Sequence, residues 1–419
     1  MNLRWFRISR LLLALLGCSL FYAGCQGRSV AVLSASEHWV TAWTTAPLAE
    51  VPGKETPALR DATLQQVVRV TAAGRAVRIR IGNYFGLESL VVGGARVAWV
   101  DGLTKEKFSR VLYFGGRETV SIPPGAAFVS DPVEHAAPAG ADLSVALYIT
   151  GLPATLTAHP GARATSLVTP GNALDAAKFT GAPQTFTRWY FLCGVDVLTH
   201  SGAALAILGD SITDGYGCPP DSYSRWPDEL ARRLHANPAT AEVAVLNLGI
   251  GGNRLLRDGL GPKALTRVER DVFSQQGVGC LIIFVGINDI GTRLEARRKS
   301  TPYASATDII EGLRQIADQA RLHGLKVIGA TITPYAGAGF YWSEDGEADR
   351  QVVNAWIRTS RCFDAVIDFD AVLRDALAPS RLAVSFDSGD HLHPSLAGYA
   401  RMAQAVDLAL FVPESVGAK

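Results

Sequence analysis

The sequence has little net charge and few cysteines. Its 40 Lys and Arg residues balance 39 Asp and Glu residues, for a formal net charge of +1. A nucleic-acid partner is therefore not expected, since such a partner selects for an excess of basic side chains. The six cysteines include no Cys-x-x-Cys pair and no spacing typical of metal ligands, so neither a metal site nor a metal cofactor is expected.

An apolar run long enough to span a bilayer is missing from the N-terminus. Arg4, Arg7 and Arg10 precede apolar residues 11–16 and 20–23, which are too few for a membrane span. A basic start, a short apolar stretch and small residues before Cys25 resemble a bacterial lipoprotein signal. We therefore predict a signal peptide over residues 1–25, with Cys25 lipidated. Simple secretion and a retained membrane anchor are the alternatives, because Tyr22 stands where such signals usually have Leu.

The predicted signal implies export to the periplasm, the outer membrane or the exterior of a bacterium. Contact with a membrane is then expected only through the lipid on Cys25. Four cysteines remain in the exported part: Cys193, Cys218, Cys280 and Cys362. An even number in an oxidising compartment permits disulfides, and the pairing is left open.

The length of 419 residues favours two domains. After a polar linker over 26–36, residues 37–198 contain short alternating strands and frequent turns, which predict a β-sandwich. The predicted strands there include 67–70, 77–81, 91–100, 111–114, 119–122 and 143–149. From 199 to 413 strands alternate with helices, which predicts a parallel sheet with crossover helices. The last elements of this part are a strand over 365–369 and a helix over 395–411.

A serine follows the first strand of the second half. The apolar run 204–208 leads directly into Gly209, Asp210 and Ser211. In an open α/β sheet, ligands bind at the carboxyl ends of the strands, so Ser211 is a candidate nucleophile. The alternative is that Ser211 only caps a helix.

Three later stretches supply the partners that a nucleophilic serine needs. Near the C-terminus, His393 follows Asp390 by three residues and could act as a base held in the correct tautomer. Gly252 lies in a glycine-rich turn after the strand over 243–248, and Asn288 follows the strand over 281–285. With the Ser211 amide, these two residues could donate hydrogen bonds to an oxyanion.

These four blocks resemble those of the SGNH, or GDSL-type, serine hydrolases. They are Gly209-Asp210-Ser211-Ile212, the turn containing Gly252, Gly286-x-Asn288-Asp289 and Asp390-x-x-His393, and they occur in the order of that family. The resemblance implies a flavodoxin-like three-layer α/β/α domain. It also implies a triad of Ser211, His393 and Asp390, with Ser211, Gly252 and Asn288 as oxyanion donors. The N-terminal β-region resembles that of exported members, some grouped with xylan-associated esterases, in Trp39-Val40-Thr41-Ala42-Trp43, Asn83-Tyr84-Phe85-Gly86 and Ser130-Asp131-Pro132.

Several residues near these blocks have competing interpretations. His391 lies two residues before His393, and the Asp-x-x-His spacing favours His393. Gly251 competes with Gly252 as an oxyanion donor. Asp214 and Asp289 are expected to cap turns or helices rather than take part in chemistry. Six aromatic residues could line a sugar or aryl pocket, although ordinary core or surface is the favoured interpretation of each: Tyr216, Trp226, Tyr335, Phe340, Tyr341 and Trp342.

The sequence thus predicts an exported serine esterase that hydrolyses short acyl, chiefly O-acetyl, esters on polysaccharides and needs no cofactor. A lipase or phospholipase-like acylhydrolase is the first alternative. An inactive carbohydrate-binding surface lipoprotein is another, and an acyltransferase that passes the acyl group to a sugar alcohol is the third. The oligomeric state is left open.

Overall fold

The computed structural model describes residues 37–101, 105–175, 183–339 and 341–412. The predicted signal peptide, the lipidation site Cys25 and the linker over 26–36 lie outside the described residues. Within these ranges, none of the helices combines the length and the apolar character that crossing a membrane requires.

Antiparallel strands build the N-terminal half, as predicted. In the described residues they are β1 (His38–Thr44), β2 (Leu48–Glu50), β3 (Ala62–Arg69), β4 (Ala76–Gly82), β5 (Leu90–Asp101), β6 (Lys105–Val111), β7 (Val120–Ile122), β8 (Ala127–Val129), β9 (Asp142–Gly151), β10 (Leu156–His159), β11 (Ser166–Pro170), β12 (Gln184–Phe186), β13 (Trp189–Tyr190) and β14 (Leu192–Thr199). Three sheets result. Their orders are β1-β14-β4-β8, β13-β10-β2 and β12-β11-β3-β9-β5-β6, with β7 beside β5 in the third.

The core of this half lies between the first and third sheets. Alternation along β4 directs Val77 and Ile79 inwards, where both are fully buried. They belong to one apolar cluster with Val145 and Leu147 of β9, a strand of the third sheet. Two sheets that bury their facing sides against each other form a sandwich, so the predicted β-sandwich is confirmed.

The predicted strand over 111–114 is wrong. The strand in this region is β6, which ends at Val111, and its residues are mostly exposed. It pairs with β5 only and so forms the edge of its sheet. Edge strands tolerate charged residues such as Lys105 and Arg110, and this polar sequence carries little strand signal.

Five parallel strands build the sheet of the C-terminal half: β15 (Ala203–Gly209), β16 (Val243–Gly249), β17 (Val278–Phe284), β18 (Lys326–Ala330) and β19 (Ala365–Ile367). Their order is β16-β15-β17-β18-β19, and all neighbours run parallel. Numbered from the first strand of the sheet, this is the flavodoxin-like order 2-1-3-4-5, as predicted. The topological switch point, where ligands bind, lies at the carboxyl end of β15.

Helices cover both faces of this sheet. The described helices are α1 (Ser211–Asp214), α2 (Trp226–Ala236), α3 (Ala264–Val268), α4 (Ile287–Gly291), α5 (Arg293–Arg298), α6 (Ala306–Leu322), α7 (Glu344–Thr359), α8 (Phe369–Leu373) and α9 (Leu396–Ala405). One turn of π-helix, Glu269–Phe273, continues α3. Along β15, Ala206 and Leu208 face α3, α6 and α7. Leu205 and Ile207 face α2, α8 and α9, so the predicted three layers are confirmed.

Two predicted elements near the C-terminus are too long. The strand predicted over 365–369 ends at Ile367, because Asp368 accepts a hydrogen bond from Ala371 N and begins α8. The helix predicted over 395–411 ends at Ala405, because Val406 is extended. Asp407 then caps a separate 3₁₀ turn, Leu408–Phe411.

The two halves of the chain contact each other directly. The hydroxyl of Thr71 accepts a hydrogen bond from Val245 N of β16 at 2.9 Å, and Thr41 N donates to Gln276 O at 3.0 Å. Ala244 and Leu246 of β16 belong to the apolar cluster of the sandwich. Residues Glu37–Lys419 therefore pack as one compact unit, and the division into domains near residue 198 stays a prediction.

The four cysteines of the described residues are free thiols. Cys193 and Cys218 are buried, and burial raises the pKa of the Cys193 thiol to about 12. A thiol that stays protonated is a poor nucleophile, so Cys193 acts as a packed apolar group.

Candidate active site

The turn after β15 places Ser211 at the first position of α1. Asp210 caps this helix, since its carboxylate accepts a hydrogen bond from Ile212 N at 3.0 Å. Burial raises the pKa of Asp210 to about 7. A Cβ on Gly209 would lie 2.2 Å from Thr213 Oγ1, so the tight turn requires glycine there. The cap is thus Asp210, and the hydroxyl of Ser211 is free for another role.

Ser211, His393 and Asp390 form a continuous hydrogen-bonded chain. Ser211 Oγ lies 2.9 Å from His393 Nε2, and His393 Nδ1 lies 2.6 Å from Asp390 Oδ2. When Nδ1–H donates to the carboxylate, Nε2 is left to accept the serine proton. The structure therefore brings together three residues that the sequence separates by up to 182 positions.

Asp390 is held as a carboxylate by its surroundings. Its Oδ1 accepts hydrogen bonds from His393 N at 2.8 Å and from Leu392 N at 2.9 Å. Burial alone would raise the pKa of Asp390, but these amides and the His393 ring hold it at about 2. The pKa of His393 lies below its ordinary value of 6.5, chiefly because the ring is buried, with a further contribution from the positive charge of Arg163. At neutral pH, Asp390 is thus ionised and His393 is neutral, as base catalysis by the histidine requires.

Ser211, Gly252 and Asn288 line one cleft. Gly252 has a φ of +68°, and a Cβ there would lie 2.7 Å from the Leu260 side chain, so the turn favours glycine. Within the described part of the chain, no group accepts a hydrogen bond from the Ser211 or Gly252 amide. The same holds for Gly251, the competing residue, whose φ is not positive.

The Asn288 side chain is buried and held in one orientation. Its Nδ2 donates to Asn253 O at 2.9 Å, and its Oδ1 accepts from the Tyr341 hydroxyl at 2.8 Å. These two bonds leave the second Nδ2 hydrogen for a ligand in the cleft.

A fully buried arginine connects the nucleophile turn with the Gly252 loop. Arg267 donates from Nη2 to Gly209 O at 2.9 Å and from Nε to Asn253 Oδ1 at 3.0 Å. Its Nη1 pairs with Asp271 at 3.0 Å. Asp289 holds the following residues, because its carboxylate accepts from Leu255 N at 2.7 Å, as expected of a residue that stabilises a turn.

The sandwich contributes one wall of the cleft. His159, at the end of β10, lies 3.0 Å from Asp214 Oδ1 through Nε2 and 2.9 Å from Ala46 O through Nδ1. Asp214 and Ala46 thus hold the His159 ring from both of its nitrogens. The expectation that Asp214 caps a turn is wrong, because its carboxylate accepts from His159. No sequence pattern indicates this contact, because His159 lies in a short strand, β10, far from Asp214 along the chain.

The other residues predicted near the site lie at different positions relative to the cleft. His391 pairs with Asp387 at 2.6 Å, is half-exposed and does not line the cleft. Tyr216 lies flat on His393, with ring centroids 4.1 Å apart, and lines the cleft together with Tyr341. Of the other aromatic candidates, Trp226 and Tyr335 are core, Trp342 is half-buried, and Phe340 lies outside the described residues.

The cleft has a volume of about 810 Å³ and lies at the carboxyl edge of the parallel sheet. Serine, imidazole and carboxylate in hydrogen-bonded order beside free amide donors form the arrangement of a serine hydrolase. In the residues that the structure describes, no group of three or more His, Cys, Asp and Glu side chains could hold a metal ion.

The model of the GDSL-like lipase/acylhydrolase family matches residues 207–401. Residues 207–401 are therefore a GDSL-like lipase/acylhydrolase domain, and the resemblance carried by the four sequence blocks is confirmed. The class of enzyme is a carboxylic ester hydrolase.

Several solved structures are similar to this half. One is a variant of an acetyl-xylooligosaccharide esterase from Geobacillus stearmophilus, with 22% identity over 52% of this chain and 98% of that chain and a TM-score of 0.39. An α/β hydrolase from the metagenome of Lake Arreo, Spain, has 20% identity over 51% and 97%, with a TM-score of 0.39. The M. smegmatis aryl esterase has 18% identity over 48% and 95%, with a TM-score of 0.38. A search among curated proteins finds no match.

The hydrogen bond from Tyr341 to Asn288 gives a first prediction. We expect Tyr341→Phe to lower kcat for ester hydrolysis about five- to tenfold with little change in KM, because a hydrogen bond that orients a donor is worth about 1 kcal/mol. Tyr335→Phe is the matched control, since the buried Tyr335 hydroxyl has no hydrogen-bond partner within the described residues. Equal kcat values for the two variants would contradict a positioning role for Tyr341.

Proposed function

We propose that the chain is an exported serine esterase in which Ser211, His393 and Asp390 form the catalytic triad. The observation that carries this proposal is the hydrogen-bonded chain from Ser211 Oγ through His393 to Asp390, at 2.9 and 2.6 Å. The free amides of Ser211 and Gly252 and the oriented amide of Asn288 support it, since they line the same cleft.

In acylation, Ser211 Oγ attacks the ester carbonyl carbon while His393 Nε2 takes the hydroxyl proton. Asp390 accepts from Nδ1–H and stabilises the imidazolium that forms. The carbonyl oxygen becomes an oxyanion and receives hydrogen bonds from Ser211 N, Gly252 N and Asn288 Nδ2. The intermediate then collapses, and His393 gives its proton to the leaving alcohol.

In deacylation, water replaces the alcohol beside His393. The imidazole takes a proton from this water, whose oxygen attacks the acyl carbon. The acid then leaves, and the proton returns to Ser211 Oγ. No step requires a cofactor.

We take the acyl group to be short, chiefly acetyl, and the alcohol to be a sugar of a polysaccharide. The cleft is open to solvent, so a long acyl chain would bury little of its surface there. Tyr216 is 49% exposed and stacks on His393, beside which the leaving alcohol lies, so its ring offers a flat surface to a sugar ring.

A long-chain acylhydrolase is the second candidate. Leu260 is 75% exposed and lines the cleft together with Leu48 and Ile250. An exposed apolar side chain at the rim of a cleft is typical of a site that takes an apolar group.

Export is part of the proposal. Its support is the basic N-terminus, the short apolar stretch and the small residues before Cys25. With lipid on Cys25, the esterase would work at a membrane surface outside the cytoplasm.

The test of function is serine-dependent release of acid from p-nitrophenyl esters of increasing chain length and from acetylated xylan. We expect wild type to release acetate and Ser211→Ala to release essentially none, because only the hydroxyl can form the acyl-enzyme. A preference for long chains would instead support the second candidate. Binding of xylan without serine-dependent release from any ester would contradict the esterase proposal, and release that requires a sugar acceptor would indicate a transferase.

The two histidines provide an internal control for that experiment. We expect His393→Ala to abolish turnover and His391→Ala to leave most of it, since only His393 contacts Ser211. Circular dichroism would check that both variants fold. Loss of turnover in His391→Ala alone would overturn the triad.

The buried environment of His393 predicts the acid limb of the pH profile. The imidazole accepts the serine proton only when neutral, so kcat/KM rises as pH increases through the pKa of His393. Because burial lowers this pKa, the midpoint is expected below 6.5, the ordinary value. A midpoint at or above 6.5 for a neutral ester would contradict this electrostatic description of the site.

Lipidation predicts a labelling difference between two cysteines of the signal. With radioactive palmitate, wild type and Cys18→Ala should be labelled and should fractionate with membranes, whereas Cys25→Ala should be unlabelled. Cys18 is the matched control because it lies between the two apolar runs of the predicted signal and not at its end. A secreted, unlabelled wild-type protein would support simple secretion instead.

A further inference from the structure

Arg163 is the charged side chain of the cleft for which the described residues provide no ion-pair partner. Five acidic or basic residues line the cleft: His159, Arg163, Asp214, Asp390 and His393. The two carboxylates pair with the two histidines, at 3.0 and 2.6 Å. The Arg163 guanidinium forms no hydrogen bond or ion pair with any residue that the structure describes, and its Nε is buried without a partner.

The backbone at Arg163 is held in an unusual conformation. Its φ of +49° lies in the left-handed region, which residues other than glycine rarely adopt. The carbonyl of Arg163 accepts from Asp221 N at 2.9 Å, and the Asp221 carboxylate in turn accepts from Thr165 N at 2.7 Å. Such conformations persist only where the surroundings impose them, and they are common at ligand-binding sites.

Arg163 lies on the side of the cleft where the alcohol of the ester would bind. Its guanidinium carbon lies 5.6 Å from the centre of the Tyr216 ring, which is stacked on His393. Because His393 protonates the leaving alcohol, groups beside Tyr216 face the alcohol rather than the acyl group. A guanidinium on that side, only half-buried, can bind an anionic substituent of the alcohol.

We propose that Arg163 binds a carboxylate on the alcohol portion of the ester, so that the preferred substrates are esters of acidic sugars or similar anionic alcohols. This inference rests on the proposed function. A planar carboxylate suits a guanidinium because the two can share parallel hydrogen bonds. The sandwich would then supply substrate specificity, whereas the α/β half supplies the chemistry.

The test compares two acetate esters that differ in charge. The anionic ester is 3-acetoxybenzoate, and the neutral one is 3-acetoxybenzamide. The measured quantity is the ratio of their kcat/KM values. We expect Arg163→Gln to lower this ratio about tenfold, the size expected for one charge-assisted hydrogen bond. Arg163→Lys should retain part of the ratio, because it keeps the charge without the planar geometry.

Arg401→Gln is the matched control, since it removes the same charge from an exposed position in α9 that does not line the cleft. It should leave the ratio unchanged. A pair of O-acetylated methyl glucuronoside and methyl glucoside repeats the comparison with sugars. If Arg163→Gln does not fold, the ratio in wild type should still fall as salt is added, because ions screen the attraction.

The outcomes separate the two proposals. An unchanged ratio in Arg163→Gln, or an equal loss on both esters, overturns the anion site while leaving the esterase intact. A salt-independent ratio in wild type overturns it as well. If Ser211→Ala hydrolyses both esters as fast as wild type, the proposed function itself fails.

Discussion

The geometry of the cleft depends on the buried charge of Arg267. Taking a guanidinium out of water costs several kcal/mol, and here burial lowers the pKa of Arg267. The cost is offset because its nitrogens donate to Gly209 O, to Asn253 and to Asp271, all within 3.0 Å. Since Gly209 ends β15 and Asn253 lies on the Gly252 loop, all the hydrogen bonds of Arg267 form only when this strand and this loop are correctly spaced.

The same network extends to Asn288, the third proposed oxyanion donor. Asn253, which binds Arg267 through its side chain, accepts from Asn288 through its carbonyl, and Asn288 in turn accepts from Tyr341. Donors fixed in this way need not reorganise when an oxyanion forms, which is the main source of electrostatic catalysis. A buried ion pair is weak evidence for a contribution to stability. We therefore interpret this buried polar network chiefly as a means of holding the donors of the cleft in position.

The sequence predicted the parts of the molecule that local patterns determine. A fully apolar run identified β15, and the Asp-x-x-His spacing distinguished His393 from His391. The contacts that complete the cleft were not predictable, because they join distant segments. His159 and Arg163 lie in or just after a four-residue strand, far in sequence from Asp214 and Tyr216. Edge strand β6 was misplaced for a related reason, since its charged residues carry no apolar alternation.

The sandwich thus forms part of the wall of the cleft. A Cβ on Gly161 would lie 1.9 Å from Asp214 Oδ2, so the sandwich backbone approaches the nucleophile helix as closely as glycine permits. His159→Ala would leave the buried Asp214 carboxylate without this hydrogen-bond partner, at a cost of about 1–3 kcal/mol. Because Asp214 is the last residue of the helix that begins with Ser211, this cost would fall on the nucleophile turn itself. The contact between His159 and Asp214 therefore links the sandwich directly to the turn that carries Ser211.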